Sequence, residues 1–124
     1  KTNTPYRVVS KSHQLFSFPG LWEEFEDTDG NQIQTFTIIT RPADDIVKPI
    51  QDRMPVILGH LSEKTWLESD TTEDILINIL NSPPTGDLSH YPVSPRISQP
   101  DIDVPSLILP TPPSDQYGNL TLFD

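Results

Sequence analysis

Large apolar residues alternate with polar ones through the first two thirds of the chain, and the pattern breaks at a few recognisable places. Residues 5–10 are rich in Val and Tyr and read as a strand. Lys11-Ser12-His13-Gln14 is a polar turn. Residues 15–26 carry Leu15, Phe16, Phe18, Leu21, Trp22 and Phe25, interrupted by Pro19-Gly20, which predicts two strand halves about a bend or bulge. Asp27-Thr28-Asp29-Gly30-Asn31 predicts a hairpin turn, because Gly and Asn tolerate positive φ. Residues 32–40 return as a strand, with Ile33, Thr35, Thr37 and Ile39 on one face and Phe36 and Ile38 on the other. Both faces are apolar near its end, so a central, two-sided strand is expected.

Beyond this point the period lengthens. Pro42 opens a short predicted helix, Asp44 and Asp45 suit its positive N-terminus, Ile46 and Ile50 share its inward face, and Pro49 helps end it. Residues 51–58 follow as a loop and then a buried strand. Arg53 stands at the mouth of that strand, where Pro55 fixes its own φ and holds Met54 extended. Gly59-His60 breaks the run, and residues 62–67 read as a helix capped by Ser62. Thr71-Thr72-Glu73-Asp74 starts another, ending near Asn81, with Ile75, Ile79, Leu76 and Leu80 as its stripe. Residues 88–97 predict a last strand, which the prolines around Tyr91-Pro92-Val93-Ser94 confine to an edge. The pattern then dissolves. From Gln99 the chain is rich in Pro, Asp and Ser, so the expected organisation is a globular part over 1–98 and an extended or disordered tail over 99–124.

Composition narrows the class. The 124 residues, 34% hydrophobic, suffice for one small domain with a modest core, and most of the 14 prolines fall after Ser82. There is no Cys, so the chain holds no disulfide, thiolate metal site or cysteine nucleophile, which fits a reducing compartment. No apolar run approaches the roughly 20 residues of a membrane span, and no signal peptide is visible. The chain opens on Lys1-Thr2-Asn3-Thr4 and enters a strand at once, so a piece of a longer protein is expected. A net charge of −10 opposes generic nucleic-acid binding, because such affinity comes from neutralised phosphates.

Candidate chemistry is sparse. His13, His60 and His90 lie in or near turns without the convergent donors a metal needs, so surface histidines and no metal or cofactor are expected. Glu23 and Glu24 are adjacent on a strand and point to opposite faces, which prevents a catalytic pair. No Gly-rich phosphate loop and no nucleophile elbow occurs. At the C-terminus, Leu120, Leu122 and Phe123 form an apolar hook on a Pro-rich arm, placed either to fill a partner's pocket or to fold back.

Four blocks, taken together, resemble a known family. Phe18-Pro19-Gly20-Leu21-Trp22-Glu23, Thr35-Phe36-Thr37-Ile38-Ile39-Thr40, Ile50-Gln51-Asp52-Arg53-Met54-Pro55-Val56-Ile57-Leu58 and Tyr91-Pro92-Val93-Ser94 occur in the order and spacing of the SOS response-associated peptidase (SRAP) family, the abasic-site shielding proteins. The resemblance covers about residues 1–109 and is most specific around Arg53-Met54-Pro55. It implies an α+β, mainly β fold, a partly open barrel-like antiparallel sheet with short helices, of which this chain holds the C-terminal half. It also implies a bacterial cytoplasmic protein at the nucleoid. Members capture the opened sugar of an abasic site in single-stranded DNA with an N-terminal cysteine, forming a thiazolidine crosslink. A glutamate, an asparagine and a histidine assist, because proton shuttling suits tunable groups.

The chain departs from that pattern twice. The cysteine, the asparagine and the catalytic glutamate would precede Lys1, so Glu23 is not that glutamate, and the missing N-terminal half becomes an implied partner. The family histidine falls at Gln51, whose amide hydrogen-bonds but exchanges no proton near neutral pH. By the same resemblance Arg53 contacts DNA phosphate, Thr40 is a second DNA-facing candidate, and the missing half builds most of the basic groove. The tail is similar to clamp-binding peptides of the Gln-Leu-x-Leu-Phe type, with Asn119 in place of Gln, which implies a sliding clamp as partner. Two other classes stand beside this reading: a peptidase or other hydrolase, and a non-catalytic module working through Leu120, Leu122 and Phe123.

Overall fold

Alternating residues need a partner strand to bond their backbone, and each strand among the described residues finds one. In a computed structural model, which describes residues 4–83 and 87–112, six strands form three two-stranded antiparallel ladders, accompanied by two helices. The class is α+β and mainly β, with no closed barrel among the described residues. The chain divides into two units, one of Ser12–Asp87 and one of Lys1–Lys11 with Leu88–Asp124.

The larger unit begins with a hairpin. Strands β2 (Gly20–Glu26) and β3 (Gln32–Ile38) pair so that Trp22 faces Phe36 and Phe25 faces Ile33. The predicted turn between them is local chemistry. The Asp27 carboxylate accepts the backbone N–H groups of Asp29 (2.9 Å) and Asn31 (2.8 Å), and Gly30 takes φ 83°. At the hairpin base, a Cβ on Gly20 would stand 3.1 Å from the Thr37 carbonyl oxygen, so glycine permits the close approach.

Strands β4 (Thr40–Pro42) and β5 (Arg53–Pro55) form the next ladder, lengthened by Ala43 N–H to the Asp52 carbonyl (2.9 Å) and Val56 N–H to the Ile39 carbonyl (3.0 Å). Ile39 N–H donates in turn to the Pro19 carbonyl (3.0 Å), tying the hairpin base to this ladder. Met54, Val56 and Leu58 alternate and are buried, as the period of two requires, together with Pro19 and Val47. Full burial of such a side chain contributes about 1.5–3 kcal/mol, so these positions carry the unit. Helices α1 (His60–Leu67) and α2 (Glu73–Asn81) complete it, and neither has a buried residue.

In the smaller unit, β1 (Tyr6–Ser10) pairs with β6 (Leu88–Pro92) in the register Val8 to His90. Short 3-10 turns follow at Pro95–Ser98 and Pro105–Ile108. Leu88, Val93 and Leu107 are buried, and the Thr111 N–H donates to the Pro92 carbonyl (3.0 Å), beside a bridge between Val93 and Pro110.

Several local expectations are corrected. The first half of 15–26 forms no ladder, only a bridge from Ser17 to Leu58, because Pro19 removes a donor where the run would continue. Strand β3 is exposed along its whole length and pairs only with β2, so it is neither central nor covered on two sides among the described residues. The stretch over 45–50 is turn rather than helix: Asp44 Oδ1 takes the Ile46 and Val47 N–H groups, Pro49 lacks one, and Val47 is buried instead of Ile46 and Ile50. Helix α1 starts two residues before its expected cap, with Gly59 at the N-cap and Ser62 inside the first turn. The last strand stops at Pro92, since Ser94 Oγ accepts the Arg96 N–H (3.3 Å) and Pro95 starts a 3-10 turn.

Candidate functional site

The β4–β5 ladder places two of the candidate residues together. Its register sets Pro42 opposite Arg53 and Thr40 opposite Pro55. Positions two apart on a strand share a face, so Thr40 and Arg53 are diagonal neighbours. Arg53 Nε donates to Thr40 Oγ1 (3.1 Å), and Nη2 donates to Thr40 Oγ1 (2.8 Å) and to the Thr40 carbonyl (2.9 Å). One edge of the guanidinium is thereby anchored on a strand. The other terminal amino group, Nη1, has no hydrogen-bond acceptor among the described residues, and no carboxylate pairs with this arginine there. Both residues are exposed. The result is an un-neutralised cation whose rotamer freedom is already restricted, with a fork of donors suited to an oxyanion such as phosphate.

Gln51 lies two residues before Arg53. Its N–H donates to the Val47 carbonyl (3.0 Å), and its side-chain oxygen accepts the Asp52 N–H (3.1 Å). Its side chain is exposed and makes no hydrogen bond to Arg53 or Thr40. The tail candidates Leu120, Leu122 and Phe123 lie outside the described residues.

Two polar arrangements were not legible beforehand. Arg41, opposite Met54 in the ladder, donates from Nη1 to the Ser82 carbonyl (2.6 Å) at the C-terminus of α2. A cation there satisfies an orphan carbonyl and complements the helix dipole, so Arg41 acts as a strut. Ser17 Oγ donates to Glu63 Oε1 (2.8 Å), and His60 Nδ1 lies 3.6 Å from the same oxygen. The residue types resemble a hydrolase triad, but the order is wrong. The serine faces the carboxylate directly, with no imidazole between them to take its proton. The cluster ties the start of α1 to the Ser17 segment. No sequence spacing announces either contact, since they join residues 41 and 46 positions apart.

The remaining candidates stand apart. His13 directly follows the turn at 11–12 and takes φ 58°, and His90 packs edge-on against Tyr6 at 5.4 Å. No group of three or more His, Cys, Asp or Glu suited to a metal occurs among the described residues. Glu23 faces Thr35 and Glu24 faces Gln34, with Gln34 Nε2 donating to Glu24 (2.7 Å). No helix among the described residues is long and apolar enough to cross a membrane.

Comparison with known proteins identifies the family. The abasic site processing protein YoqW of Bacillus subtilis (strain 168) is 39% identical over 109 residues, covering 87% of this chain and 49% of that protein. The abasic site processing protein YoaM of the same organism is 41% identical over 101 residues, covering 81% of this chain and 44% of that protein. The chain thus spans about half the length of these relatives. A crystal structure of a protein from Bacteroides thetaiotaomicron shares the fold at a TM-score of 0.76 and 22% identity, covering 87% of this chain and 48% of that one. The family model for SOS response associated peptidase (SRAP) matches residues 1–100, and this chain belongs to that family.

Proposed function

We propose that this chain supplies one half of a protein that processes abasic sites in single-stranded DNA, with Arg53 contacting a phosphate beside the lesion and Thr40 positioning it. The observation that carries the reading is the anchored, uncompensated guanidinium. The names of YoqW and YoaM support the substrate class. The net charge of −10 leaves the rest of the cationic groove to the other half.

In this proposal capture is covalent. The α-amine of an N-terminal cysteine outside this chain condenses with the aldehyde of the opened sugar and releases one water. The thiol then adds to the imine carbon, its proton passing to nitrogen, and a thiazolidine closes without oxidant or reductant. Gln51 replaces the group that would shuttle protons for the reverse reaction, so the adduct forms and is released slowly.

The test joins the unmatched half of YoqW ahead of this chain and incubates the fusion with abasic single-stranded DNA and, separately, with peptides. The expected result is an SDS-stable DNA adduct without peptide turnover, reversing faster in the Gln51→His variant. Peptide cleavage with no adduct would replace this reading by the peptidase one.

A further inference from the structure

We propose that the Trp22–Phe36–Ile38 face of the β2–β3 hairpin is the docking surface for the half of the family fold that this chain does not contain. The identity of that partner rests on the family reading above; the site rests on the hairpin's own geometry. The register sets Trp22 opposite Phe36 and Gly20 opposite Ile38, so the three apolar side chains share one face. Trp22 is 73% exposed, Phe36 78% and Ile38 42%. Two aromatic rings left this open expose on the order of 300 Å², the size at which an apolar patch on a soluble protein usually has a binding role.

The face is graded. Towards the turn it becomes polar and internally satisfied: Gln34 Nε2 donates to Glu24 (2.7 Å) and Gln32 Nε2 to Glu26 (3.3 Å). At the base of the hairpin the same face is apolar and has no cover among the described residues. Neither strand has another ladder partner among the described residues, and a lone two-stranded ribbon is marginal in water.

The length of the relatives identifies the occupant. Residues matching this chain make up 49% of YoqW and 48% of the Bacteroides protein, so about half of the family polypeptide remains to be packed against what is present here. A second copy of this chain fits poorly. Strand β2 carries Glu23, Glu24 and Glu26, and the chain has a net charge of −10, so self-pairing would bring like charges together. The partner surface is therefore an apolar ridge flanked by Lys or Arg.

Hydroxyl-radical footprinting, read by mass spectrometry without DNA, tests this on the 124-residue chain alone, on the chain co-expressed with the unmatched half of YoqW, and on the covalent fusion of the two. The expected result is strong oxidation of Trp22 and Phe36 in the chain alone and its loss in the fusion and the co-expressed pair. Trp22→Glu with Phe36→Glu is expected to abolish co-purification, while Leu61→Glu, at a 94% exposed position of α1, leaves it intact. Rings that stay oxidisable in the fusion, or that are protected in the chain alone because it dimerises, overturn the proposal. Loss of DNA capture with the rings still protected would instead overturn only the functional reading.

Discussion

Arg53 carries a charge that no carboxylate offsets among the described residues, on a side chain already held at three hydrogen bonds by Thr40. Removing such a group should cost DNA affinity in a way that depends on salt. Arg53→Ala in the YoqW fusion is expected to weaken single-stranded DNA binding by about 10- to 100-fold, the worth of one charge-assisted hydrogen-bonded contact. It should also reduce the magnitude of the log K against log salt slope by about 0.7, one phosphate on a single strand. Thr40→Val keeps the charge and the carbonyl acceptor but loses the hydroxyl, so affinity falls less and the salt slope stays. Titrations at several salt concentrations separate the two, and an unchanged slope in Arg53→Ala removes this arginine from the phosphate contact. Arg41 is the contrast: the same side chain, one position away from Thr40, is committed to the Ser82 carbonyl.

At the scale of elements, the hairpin turn depends on one carboxylate. The side-chain amide of Asn31, and then its backbone N–H, hold the Asp27 carboxyl below its usual 3.8. A lowered folded-state value means that the ionised form is favoured by folding. The turn is therefore fully stabilised above about pH 3.8 and loosens as the pH falls through the lower folded value. Amide NMR shifts of Asp29 and Asn31 should hold steady above pH 5 and move towards unstructured values in acid. Asp27→Ala should lose this turn order at every pH. Resonances that titrate near an unperturbed aspartate would contradict the assignment. The β4–β5 ladder has no such dependence: its order comes from the buried positions Met54, Val56 and Leu58, which carry no ionisable group.

For the molecule as a whole, half a family fold and a strongly acidic surface make partners the central question. The tail candidates Leu120, Leu122 and Phe123 lie outside the described residues, and their proposed role is clamp binding. Deleting 113–124 from the YoqW fusion is expected to abolish binding to a bacterial sliding clamp in a surface-immobilised assay while leaving DNA capture unchanged. Equal clamp affinity with and without the tail ends that proposal. Such peptide motifs act independently of the domain that carries them, so loss of both activities would mean that the tail supports the fold instead.

The sequence by itself determined what short-range chemistry decides. Asp27, Gly30 and Asn31 specify the turn within five positions, Met54, Val56 and Leu58 declare a buried alternation, and α2 starts after Thr72 and ends at Asn81. The four blocks around Trp22, Phe36, Arg53 and Tyr91 carried the family. Tertiary structure decided which groups meet. The Arg53 to Thr40 anchor spans 13 positions, Arg41 to Ser82 spans 41, and Arg7 to Tyr91, with Nη1 2.9 Å from the phenol oxygen, spans 84. It also decided exposure, turning the apolar β3 from an expected central strand into an open one. The reason is physical: alternation records that a face is apolar, while only the packed chain fixes what lies against it.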